Sequence, residues 1–170
     1  MPLLAISNKR GRWYELADKI TTRIQFEIGQ IDQLFETYHD LLEKSQRESP
    51  NLVEITAIAS VLHSFYNGVE NIFLVVAKGI DNNVPAGQQW HRDLLKQMAE
   101  ATSHRKAILT TELTNQLADY LGFRHFYRHS YSFHLDWTEL EKLVNPLLDV
   151  WQQTKREFEL FLESFDESTA

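Results

Sequence analysis

The ten residues Gly122-Phe123-Arg124-His125-Phe126-Tyr127-Arg128-His129-Ser130-Tyr131 crowd two arginines and two histidines into a 170-residue chain whose net charge is −7. Neighbouring cations repel one another, so such crowding is favoured where an anion sits among them. Histidine can give or take a proton near neutral pH, and arginine can hold a phosphate through paired donors and stabilise charge building on it. Together they suit phosphodiester transfer in RNA without a metal. There the 2′-hydroxyl attacks the adjacent phosphorus once a base takes its proton, so no nucleophile is needed from the protein. The chain has no cysteine, which removes thiol catalysis, zinc–thiolate sites and disulfides from consideration.

The distribution of charge sharpens this reading. Residues 88–131 hold six Lys or Arg against four Asp or Glu and four of the seven histidines, so the remainder carries −9. A localised anionic ligand fits that pattern better than broad coating of nucleic acid or membrane. Other candidates are weaker. Glu36-Thr37-Tyr38-His39 is half of a di-iron bundle motif whose second half is missing, and it reads as a surface pair. His104-Arg105-Lys106 is a charge cluster in an expected loop, either solvated or an extension of the anion surface. Trp90-His91 and Trp137 are read as aromatics that anchor helix starts on the core, with ligand stacking as the alternative.

The elements that must position these residues are helical, because apolar residues recur at three and four and Gly and Pro are sparse. The first helix runs from about Trp13 to Leu42 and breaks near Ser45 to Pro50. The second runs from Asn51 or Leu52 to Ile80. It buries Ile55, Ile58, Leu62, Phe65, Val69, Ile72, Phe73 and Val76, and carries a polar stripe of His63, Asn67, Glu70 and Asn71. Such a stripe is first read as solvent-facing, but two Asn and Gly68 in mid-helix are poor helix formers and point to a close-packed or functional surface. A turn-rich segment from Gly79 to Gln89 leads into a short helix at Trp90. Another helix opens at Thr110 or Thr111, with Gly122 offering a kink or an end. A last helix begins at Asp136-Trp137 and is kinked at Pro146. This predicts an all-α chain, an antiparallel bundle of four to five helices forming a single domain over 1–170, with 1–12 and 164–170 open to fraying. Neither a signal-peptide core nor a membrane-spanning run is seen, so a cytoplasmic protein without membrane association is expected.

Geometry adds a constraint. On an unbroken helix Arg124, Arg128 and Tyr131 share a face, whereas His129 points roughly 140° away from Arg124. Either the backbone is distorted near Gly122, or a second subunit completes the site across a two-fold axis.

Arg124, His129 and Tyr131, with Gly122-Phe123 before them, resemble the Arg-x4-His-x-Tyr motif of HEPN-domain toxins, the ribonuclease half of HEPN/MNT (HepT-like) toxin–antitoxin pairs. The resemblance extends to Tyr66-Asn67-Gly68-Val69-Glu70-Asn71-Ile72 and to the stretch from Gly87 to Leu95. His125 stands where Asn is common, and Arg128 stands where an apolar residue is common. The resemblance implies a HEPN-like bundle that dimerises with both motifs lining one cleft, and cofactor-free, metal-independent endoribonuclease activity of a type VII-like toxin. Transfer RNA is a plausible substrate by that resemblance. It also implies neutralisation by a partner MNT-type nucleotidyltransferase that attaches AMP to Tyr131. Arg124 would hold the scissile phosphate and His129 would act on the 2′-hydroxyl proton. His125, Arg128, Glu70 and Asn71 would support the site, Glu70 or Asn71 by orienting Arg124. A different class of function is a non-catalytic HEPN-like nucleotide- or RNA-binding module, and a third is a helical interaction protein whose basic cluster meets an acidic partner.

Overall fold

The second predicted helix lies at the centre of the molecule. In the computed structural model, backbone is described for residues 3–167 and side chains for 11–164. Seven α-helices occur among the described residues: α1 (Leu3–Thr37), α2 (His39–Ser45), α3 (Leu52–Gly79), α4 (Trp90–Met98), α5 (Thr111–His129), α6 (Trp137–Val144) and α7 (Leu147–Glu167). α3 packs against α1, α4, α5 and α6 and is apolar on most of its circumference, as a helix inside a bundle must be. It starts at a capping box: Asn51 Oδ1 accepts from the Glu54 amide at 3.0 Å, and Glu54 Oε2 accepts from the Asn51 amide at 2.9 Å.

Phe65 of α3 is the hub of the core. Its ring meets Phe35 at 5.7 Å, Tyr120 edge-on at 5.2 Å and Trp151 edge-on at 6.2 Å, joining α1, α5 and α7. Burying each such ring contributes roughly 1.5–3 kcal/mol, and edge-on pairs add to that. Gly68 lets α1 approach closely, since a Cβ there would stand 2.7 Å from Ile31 Cγ1. Polar ties fix the outer helices. Asp32 accepts from Trp151 Nε1 at 2.8 Å and from Lys155 Nζ at 2.6 Å, and Glu157 accepts from the Thr110 amide and hydroxyl, both at 2.9 Å.

The expected helices are present, with three differences. The first divides at Tyr38, where the Thr37 hydroxyl donates to the Gln33 carbonyl at 2.7 Å, a side-chain bond that bends helices. The last divides at Pro146, which cannot donate into the ladder, so α6 and α7 are separate helices. Taking α1 with α2 and α6 with α7 as broken helices leaves five helical segments. The third difference is at Gly122, which neither kinks nor ends α5. Leu113, Leu117, Tyr120 and Phe123 are buried along one side of α5, and that packing outweighs the roughly 1 kcal/mol that glycine costs in a helix. The ends expected to fray, 1–12 and 164–170, lie largely outside the residues whose side chains are described. No helix among the described residues is long and apolar enough to cross a membrane.

Candidate functional site

α5 is positioned at its start by Thr110, whose hydroxyl accepts from the Leu113 amide while donating to Glu157. Phe123 turns toward the core, which directs Arg124 along the contact between α5 and α3. The guanidinium is 12% exposed and held on three sides. Nε donates to Asn67 Oδ1 at 2.7 Å, one terminal nitrogen is 3.2 Å from Glu70 Oε1, and the other is 3.5 Å from His91 Nε2. The buried Glu70 carboxylate uses its second oxygen on His91 Nδ1, at 2.6 Å. A chain of polar groups thus runs from α3 to α5 and α4.

At its far end, Asn67 Nδ2 lies 2.9 Å from His63 Nε2. An amide nitrogen can only donate, so His63 accepts there and is neutral, with its proton on Nδ1. Its ring packs on Tyr127 at 4.8 Å, and Nδ1 is buried with no partner among the described residues. Burial first, then the charges of Arg124 and Arg128, hold the pKa of His63 below its ordinary 6.5. The sign of the consequence is definite. Below about pH 6.5 the unfolded chain binds a proton here that the folded chain resists, so this contribution is full above that pH and is lost as pH falls through 6.5 toward the lowered value. Urea unfolding from pH 8 to 5 should show that loss, and His63→Gln should flatten it.

Tyr66, one turn from Glu70, is wholly buried, and its hydroxyl also lacks a partner among the described residues. Burial and the neighbouring Glu70 push its pKa far above the ordinary tyrosine range, against the pull of Arg124, so the phenol stays neutral.

Between α4 and α5 lies an open cleft of about 590 Å³, onto which Arg124, His125, Arg128 and His129 open from α5 and His91 and Arg92 from α4. Gly122 lines it too, and its missing side chain leaves the floor clear. Tyr131 stands apart. α5 ends at His129 and Ser130 is extended, so Tyr131 lies beyond the helix rather than on the face of Arg124. It is 71% exposed, its ring stacks on Phe133 at 5.4 Å, and it borders a smaller hollow that it shares with Arg128.

Of Glu70 and Asn71, Glu70 reaches Arg124, while Asn71 donates to Glu27 of α1 at 3.3 Å. Asn67 is a second holder. Its place in the stripe His63-Asn67-Glu70 was visible at helical spacing, but its partner 57 residues away was not. Trp90-His91 stands out in the sequence as a pair of aromatics at a helix start, but nothing local marks His91 as a partner of Glu70, because the turn before α4 and the packing of α4 on α3 bring them together. Arg105 of the loop cluster is turned inward onto Asp81 and does not extend the cleft. Glu36 and His39 are exposed at the α1/α2 break, with His39 facing Glu43 at 3.9 Å. Trp90 and Trp137 pack against the core, half-buried.

The fold and site define an all-α bundle with a cationic cleft built around one internally held arginine. Residues 57–165 match the family model described as HepT-like protein, and the chain belongs to that family, the HepT-like group of HEPN toxins. No curated protein and no solved structure matches the chain. The matched span includes α3, α4 and α5 almost whole, and with them every residue of the cleft named above.

Proposed function

We propose that the protein is the toxin of a HEPN/MNT toxin–antitoxin pair and cleaves RNA, with transfer RNA as the expected substrate, without a metal. The observation that carries this reading is the single cleft in which Arg124, His125, Arg128 and His129 meet, with Arg124 fixed from behind by Asn67 and Glu70. An arginine held in place needs little reorganisation when charge builds on a phosphate, which is the condition for electrostatic catalysis. Arg124 and Arg128 take the scissile phosphate. His129 exchanges a proton with the reacting oxygens as the 2′-hydroxyl attacks. The products are a 2′,3′-cyclic phosphate and a 5′-hydroxyl end, and activity survives chelators.

Tyr131 is the site of neutralisation. Its exposure suits attack on a nucleotide brought by a partner nucleotidyltransferase, and AMP placed there would set an anion beside Arg128, competing with RNA. The active form is a homodimer with the two clefts side by side.

Expression of wild type should arrest growth, and Arg124→Ala and His129→Ala should each relieve it. In purified protein, His129→Ala should lower cleavage by roughly 10²–10⁴-fold. RNA with a 2′-deoxy at the cut position should resist cleavage; equal cutting would overturn the mechanism.

One observation favours a second reading, a non-catalytic binding module: Arg124 is mostly buried, and its Nε and one terminal nitrogen are already taken by Asn67 and Glu70. RNA affinity that falls steeply with salt, without any cleavage, would establish it.

A further inference from the structure

Cleavage by a 2′-hydroxyl moves two protons, one off the attacking oxygen and one onto the departing 5′-oxygen, and the two oxygens lie on opposite sides of the phosphorus. Arg124 and His129 alone supply one proton-transfer group. His91 supplies another. A carboxylate oxygen only accepts, so the 2.6 Å contact with Glu70 Oε2 places a ring proton on Nδ1, and an arginine nitrogen only donates, so Nε2, which faces Arg124, is the side that carries the electron pair.

That Nε2 lies 3.5 Å from a terminal nitrogen of Arg124, at the outer limit of a hydrogen bond, so its electron pair is barely engaged. Trp90 stacks on the ring at 3.6 Å and limits its rotation, yet the His91 side chain is 23% exposed and borders the cleft. It enters from α4, whereas His129 enters from α5.

We propose that His91, oriented by Glu70, is a catalytic residue of this cleft, the base that takes the 2′-hydroxyl proton in place of His129, to which the family resemblance assigns that proton, and that His129 instead gives a proton to the 5′-oxygen. The inference rests on the ribonuclease reading. The O2′–P bond forms as the proton passes from O2′ to Nε2, and the P–O5′ bond breaks as His129 protonates O5′. Exchange with water then resets both rings. Glu70 already faces the imidazolium that forms, so its charge is compensated without movement. This division also eases the geometric problem of α5, since its two functional groups need not converge on the same atom.

The test compares wild type, His91→Gln and His129→Gln on an RNA oligonucleotide with an ordinary linkage and one with sulfur in place of the bridging 5′-oxygen. Sulfur departs without a proton, so it rescues loss of the acid and not loss of the base. His91→Gln should lose roughly 10²–10⁴-fold in kcat at unchanged RNA affinity. It should also lose the acidic limb of the kcat–pH profile and gain nothing from the sulfur substrate, whereas His129→Gln should recover on it. His91→Gly, folded by circular dichroism, should regain activity with added imidazole, which a merely structural histidine would not. Wild-type kcat and pH profile in His91→Gln, rescue of His91→Gln by sulfur, or no imidazole recovery would overturn the inference. Failure of wild type to cut any RNA would overturn the ribonuclease reading beneath it.

Discussion

Glu70→Ala is expected to destabilise the protein by roughly 3–5 kcal/mol, the usual effect of removing one partner from a buried ion pair. The Glu70 and Arg124 side chains are 6% and 12% exposed, so the guanidinium would lose its only carboxylate among the described residues in a place that water reaches poorly. His91 Nδ1 would lose its acceptor at the same time, and the deleted side chain would leave a void against α4. A domain of this kind is stable by only about 5–15 kcal/mol, so the change consumes a large share. Urea unfolding with an unchanged m-value measures it. The double variant Glu70→Ala/Arg124→Met should be more stable than the sum of the two single changes implies, because it leaves no charge unpaired. Simple additivity would show that the pair is not coupled. Glu70→Gln keeps the volume and one acceptor, and should fall between wild type and alanine.

The second large effect is expected at Arg105, where alanine should cost about 3–5 kcal/mol for the same reason. The Arg105 and Asp81 side chains are 2% and 3% exposed. The guanidinium donates from Nε to Oδ1 at 2.8 Å and from a terminal nitrogen to Oδ2 at 2.7 Å, a two-point match to the carboxylate. It also donates to the carbonyls of Gln97, Glu100 and Lys106, and Gln97 donates to Asp81 at 2.7 Å. This clamp joins the connection after α3 to the one after α4 and ties down the C-terminal end of α4 through Gln97. Thermal unfolding should show the loss, at roughly 2–4 °C per kcal/mol for a chain of this size. If Arg105 instead belonged to the anion surface, Arg105→Ala would leave stability near wild type and reduce the salt dependence of RNA binding.

His104-Arg105-Lys106 reads from the sequence as three exposed charges. Nothing local distinguishes the middle one, whose carboxylate lies 24 residues earlier in the chain. Tyr131 was expected on the face of Arg124 by counting along an ideal helix, and the helix stops two residues short of it. Gly122 carries the usual signal for a helix end and does not end α5, because the buried residues on either side keep the turn in place.

The part of this protein legible along the chain is written in short-range physics. Apolar residues at three and four made the helices, the Asn51/Glu54 box and Thr110 set two of their starts, and Pro146 set a break. Arg124, His129 and Tyr131 announced a family at fixed spacing, since a motif is a local object. The tertiary structure decided which groups those residues meet. Arg124 is held by Asn67 and Glu70 from another helix, and His91 reaches Glu70 from a third. Hydrogen bonds within a helix join residues four apart and are legible in order. The bonds that build this cleft join residues 21 to 57 apart, and they exist only because the core around Phe65 packs α4 and α5 against α3.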